Sequence, residues 1–117
     1  MSTSQVRANT KSRSLRASAP IFAALGDEKR LALVRHLCVR GPQSIARLAE
    51  GSGVTRQAIT KHLHVLAEAG LVKNETQGRT NVWEFTPRGL EEARRTLDAI
   101  AREWDEALER LRRFVED

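Results

Sequence analysis

Cysteine occurs once in these 117 residues, tyrosine not at all, and two tryptophans with three phenylalanines supply all the aromatic surface. Cys38 alone cannot close a disulfide within the chain, which suits a reducing cytoplasm. No apolar run approaches the roughly 18 residues of a membrane span, so no membrane partner is expected. The first 18 residues also lack the apolar stretch of a secretory signal. Their Ser/Arg-rich, acid-free make-up matches an organellar transit peptide. Val6 and Leu15 are their only sizeable apolar residues besides Met1, however, and give a targeting helix no apolar face. There is no glycine-rich phosphate loop and no nucleophile beside a base at a recognisable spacing, so neither an enzyme nor a cofactor is expected. The length fits one domain with extensions.

The formal net charge is +5, unevenly spread. Residues 1 to 18 carry Arg7, Lys11, Arg13 and Arg16 with no acid, the middle of the chain is mildly basic, and acids outnumber bases from residue 91 onward. We read 1–17 as a disordered basic arm, able to touch phosphates or to remain idle. A polyanionic partner fits this balance, although charge that resides largely in a tail is weak support for it.

Order is expected from about Ala17, where APIFAALGD reads as a short apolar helix with Phe22 and Leu25 three apart. Asp27 then offers an N-cap to EKRLALVRHLCVR. There the spacing puts Leu31, Val34, Leu37 and Cys38 on one stripe, predicted to face the core, and Gly41-Pro42 ends the helix.

Residues 44 to 66, SIARLAEGSGVTRQAITKHLHVL, hold the most specific pattern. Ala49 is small where two helices would cross, Gly53 follows where a turn needs positive φ, and Ile59 faces inward six residues later, which predicts a helix-turn-helix. With Thr55 as N-cap, Ile59, Leu63 and Leu66 share one side of the second helix. Gln57, Thr60, Lys61 and His64 share the other. Each of these four can hydrogen-bond a base edge or a phosphate and none is acidic, as expected of a helix in a DNA major groove. A solvated face on an ordinary helix hairpin would also be polar.

Gly70 is placed as a left-handed helix end, after which the period changes from 3.6 to 2. Leu71 to Thr76 and Asn81 to Phe85 are predicted strands around Gln77-Gly78-Arg79-Thr80. A hairpin directly after such a helix is a wing. Its tip presents Arg79, Thr80 and Asn81, with Lys73 on the first strand, and Arg79 is suited to a phosphate or an adjacent minor groove.

Thr86-Pro87 is predicted to open the last helix, threonine as N-cap and proline in the first turn. Leu90, Ala93, Leu97, Ile100, Trp104, Ala107, Leu111 and Phe114 follow in alternating steps of three and four, a heptad seam. The preceding domain is too small to cover a helix of that length. Homodimerisation is therefore expected, with Phe22, Leu90, Leu97, Ile100, Trp104, Ala107, Leu111 and Phe114 at the interface. The expected fold is mainly α with a small β-hairpin wing: a winged helix-turn-helix domain over 18–86 and a long dimerisation helix over 87–117.

At LGDEKRLALVRHL, GVTRQAITKHLHVLAEAGLV and QGRTNVWEFTPRG the chain resembles the ArsR/SmtB family of small dimeric winged-helix repressors, over about residues 19 to 90. The resemblance implies dimerisation through the first and last helices and binding to an imperfect palindromic operator in double-stranded DNA. It also implies a DNA-reading stretch from Thr55 through Arg56 to His64, with Arg79 as wing contact. His62 matches a histidine common in the family's recognition helix and is read as packing or a phosphate contact. Metal-sensing members resemble one another in a cysteine pair on the first helix of the motif or in Asp/His/Glu ligands on the last helix. Here the first site reads SIARLAE and the last helix has no histidine, so no metal site is expected. The reading is a cytoplasmic, nucleoid-associated, sequence-specific repressor whose effector is open. A low-specificity architectural DNA binder is the alternative.

Overall fold

The computed structural model describes residues 15–116. Among these, helix α1 covers 15–25, and α2 (Glu28–Arg40), α3 (Ile45–Ala49), α4 (Arg56–Glu68), β1 (Val72–Gln77), β2 (Thr80–Phe85) and α5 (Pro87–Glu116) follow. The arm expected over 1–17 lies largely outside the described residues, and α1 already holds residues 15 to 17.

Local chemistry sets most of the boundaries. The Asp27 carboxylate accepts from the Lys29 and Arg30 amides at 2.9 and 3.0 Å and so caps α2. The Arg30 side chain reaches back, its Nε donating to the Ala24 carbonyl at 2.6 Å, which closes the open end of α1. At the end of α4 the Leu71 amide donates to Leu66 and the Gly70 amide to Ala67, both at 3.0 Å. This Schellman turn folds Leu71 onto the core. The strands pair antiparallel with Gln77 opposite Thr80, leaving a two-residue turn in which Gly78 takes φ 63°.

The core gathers Ile21 and Ala24 of α1, Val34 and Leu37 of α2, Leu48 of α3, Ile59, Leu63 and Leu66 of α4, and Leu71, Val72, Trp83 and Ala93. The predicted α2 stripe needs correction. Cys38 is exposed and Leu31 largely so, because the buried direction is set by Val34 and Leu37, and both residues lie about 70° to 90° around the helix from it. Partial desolvation raises the Cys38 pKa, which disfavours the reactive thiolate. Trp83 ties the domain together. It donates its amide to Gln43 at 2.8 Å and accepts the Gln43 amide at 3.0 Å, so the segment before α3 pairs with the free edge of β2.

The start of α5 lies against the end of α4. The Thr86 amide donates to the Leu71 carbonyl at 2.9 Å, and a Cβ on Gly89 would fall 2.7 Å from the Gly70 carbonyl oxygen, so only a hydrogen fits there. The expected Thr86 side-chain cap is not made: drawn onto the α4 turn by its backbone, Thr86 keeps its hydroxyl buried without a hydrogen-bond partner. Gly89, Ala93 and Thr96 are the buried residues of α5. From Leu97 onward its apolar row is uncovered, with Trp104 64% and Phe114 81% exposed. At 30 residues the helix runs about 45 Å. Phe22, expected at an interface, is half-buried and packs against its own domain's core.

Candidate nucleic-acid interface

α3 and α4 are held apart by a turn that satisfies its own polar groups. Ser44 Oγ accepts the Arg47 amide at 3.2 Å and starts α3. Ser52 Oγ donates to the Ala49 carbonyl at 2.9 Å and accepts the Val54 amide at 3.0 Å, and Gly53 takes φ 74°, a conformation that would strain a side chain. Thr55 Oγ1 then accepts the Ala58 amide at 3.1 Å and starts α4. Ile59, Leu63 and Leu66 anchor α4 on the core, which fixes the rotation of the helix and leaves Arg56, Gln57, Lys61 and His64 exposed on its outer side.

The members of that outer set differ in what they have left to offer. Gln57 and Lys61 are exposed. Thr60 is half-buried and its hydroxyl donates to the Arg56 carbonyl at 2.8 Å, so toward a ligand it retains its two oxygen lone pairs and a methyl group. His64 stands edge-on to Trp83, ring centroids 5.7 Å apart at 76°, which places it where the recognition helix meets the wing.

On the wing, Arg79 occupies the exposed tip. Lys73 does not present a free charge. Its Nζ lies 3.0 Å from Oε1 of Glu84, its cross-strand neighbour. That hydrogen bond is the main cause of a raised Lys73 pKa and of a lowered Glu84 pKa. Asn81 Oδ1 accepts from Thr76 Oγ1 at 3.0 Å, a bond that holds the hairpin in register. Of the wing residues singled out in the sequence, Arg79 is thus the one whose charge is directed outward, while Lys73 and Asn81 brace the two strands.

Arg47 was not singled out, and the structure places it beside Arg56. The two line one shallow hollow with Glu50, and Arg47 also borders a second hollow with Arg40 and Gln43. A base three residues after the Ser44 cap, on the outer side of the first helix of the motif, was the available signal. No three His, Cys, Asp or Glu side chains converge on a metal-sized site among the described residues.

Comparison with known proteins agrees with this geometry. The helix-turn-helix domain family matches residues 25–75. The chain is 37% identical over 76 residues to the arsenical resistance operon repressor of Bacillus subtilis, covering 65% of this chain and 72% of that protein. It is 37% identical over 87 residues to an HTH-type transcriptional regulator of Mycobacterium tuberculosis, covering 74% and 78%. Among solved structures, an ArsR-like transcriptional regulator from Rhodococcus sp. RHA1 superposes with a TM-score of 0.74 at 37% identity, covering 85% of this chain and 92% of that one. These relatives are transcriptional regulators, and none is named as an enzyme. With its helix-turn-helix, its hairpin wing and these relatives, the chain belongs to the ArsR family of winged helix-turn-helix DNA-binding transcriptional regulators.

Proposed function

We propose that this regulator is a homodimeric repressor that reads a palindromic operator and does not answer to a metal. The observation that carries the reading is the outer side of α4, where Gln57 and Lys61 stand exposed, with Arg79 exposed at the tip of the wing that follows. An amide suits adenine and an ammonium suits guanine in a major groove, whereas a guanidinium on a hairpin tip suits phosphates. His64, in contact with Trp83, joins helix to wing, and Thr55, Arg56 and Thr60 complete the reading stretch.

Support for the dimer comes from the uncovered row of Leu97, Ile100, Trp104, Leu111 and Phe114 on α5. Burying such side chains stabilises by roughly 1.5 to 3 kcal/mol each, enough together to offset much of an association cost of about 4 to 15 kcal/mol. Two copies joined along α5 would present two recognition helices, which suits half-sites about one helical turn apart.

The Bacillus relative is named for arsenical resistance, and transfer of that signal is argued against by composition. Soft metals and metalloids call for several thiolates or imidazoles, whereas this chain has one cysteine, on α2, and the two helices that carry the family's metal ligands offer none: α3 reads IARLA and α5 has no histidine or cysteine. No helix of the described residues is long and apolar enough to cross a membrane, and a cytoplasmic, DNA-associated location is part of the same reading. Sequencing the fragments that the purified protein retains from its own genome tests it. A recurrent inverted repeat is the expected result, and retention without sequence preference would favour an architectural binder.

A further inference from the structure

A cavity of about 260 Å³ opens between α2, the α3–α4 turn and the recognition helix, away from the outer side of α4 described above. Its floor is apolar, made by Leu33, Leu48, Val54 and Ile59. Its polar lining groups are basic or already committed: Lys29, His36 and His62 border it, and the Ser52 hydroxyl is engaged within the turn. No acidic side chain lines it. On α2, Lys29, Leu33 and His36 follow at i, i+4 and i+7, so the basic groups bracket about 10 Å of one helical face. Asp27, at the start of α2, is held by the Lys29 and Arg30 amides that it caps.

We infer that this cavity is a binding site for a small apolar monocarboxylate, such as an aromatic acid. The volume sits at the lower end of ligand-pocket sizes and suits a molecule on the order of ten non-hydrogen atoms. An apolar body takes the place of water on the leucine, valine and isoleucine floor. The carboxylate meets the Lys29 ammonium, and an imidazole offers an N–H donor in either protonation state. A neutral molecule of the same shape leaves Lys29 without a counter-charge, and a cation is repelled. The site touches α2 and α4 together, so a bound acid bridges the scaffold to the helix that faces DNA. The inference stands on this cavity and not on the identity of the operator.

The test uses the full chain with labelled methyl groups, titrated with phenylacetate and, separately, with phenylacetamide, its uncharged counterpart. Saturable shifts at the Leu33, Leu48, Val54 and Ile59 methyls are expected, with half-saturation by phenylacetate on the order of 1 mM and about tenfold weaker binding of the amide. The Lys29→Gln/His36→Gln double variant changes two exposed side chains, so the fold should survive, and it should abolish the preference for the acid. Absence of saturable shifts at those methyls, equal binding of acid and amide, or a preference unchanged in the double variant would each overturn the assignment.

Discussion

The Ser18 and Thr96 hydroxyl oxygens lie 2.6 Å apart, buried, joining α1 to α5 across 78 residues of sequence. They are the buried polar residues among the described ones, and the bond ties the first helix to the last. Thr96→Val keeps the shape and removes the partner, leaving Ser18 only a 3.5 Å approach to the Glu92 carbonyl. A loss of about 1 to 3 kcal/mol is expected in urea unfolding, partly recovered when Ser18→Ala is added. Strictly additive single and double variants would show that the two hydroxyls do not act as a pair.

Gln57 and Arg79 should fail differently. Gln57→Ala is expected to cost about 1 to 3 kcal/mol on the operator and almost nothing on scrambled duplex. Arg79→Ala should weaken both and reduce the salt slope by about one unit for each phosphate that the arginine neutralises. Titration of both variants on both DNAs at two salt concentrations measures this, and equal losses on the two DNAs for Gln57→Ala would remove its base-reading role.

Trp104→Ala should weaken self-association, since the side chain sits mid-row on the uncovered part of α5 with 64% of its surface exposed in the single chain. Sedimentation equilibrium at micromolar concentration is the measurement. The expected result is a dimer for the parent and a shift toward monomer for the variant; a parent that sediments as a monomer contradicts the proposed assembly.

Metal independence is checked by operator titration with low-micromolar zinc, cadmium or arsenite. Affinity should not change. A tight stoichiometric site in calorimetry would contradict the reading from ligand chemistry.

Features made between near neighbours were legible in the sequence. Asp27 and Thr55 cap through amides two or three residues on, and Gly70 turns the chain within its own helix end; the loop expected over residues 77–80 is instead a two-residue turn at Gly78-Arg79, because Gln77 and Thr80 pair across the strands. The rotation of α4 could be read as well, because Ile59, Leu63 and Leu66 form one unambiguous apolar side. On α2 two neighbouring apolar directions competed, and the choice against Leu31 and Cys38 depended on partners elsewhere in the chain. Within the candidate interface, residue types were readable from the sequence but their commitments were not. That Lys73 is held by Glu84, and that His64 meets Trp83, follows from strand register and from where the wing sits on α4.

The chain's own spacing determined the order of elements, the helix-turn-helix, the wing and the heptad row, because each rests on a helical or strand period and on hydrogen bonds spanning a few residues. Tertiary structure alone decided the Ser18–Thr96 bond, the Gln43–Trp83 pairing, the Arg30 clasp on α1 and the approach of Gly89 to Gly70. The same holds for the cavity beneath the recognition helix. Each of these joins separate elements, and no local period encodes which carbonyl, hydroxyl or apolar side chain another element will bring to it.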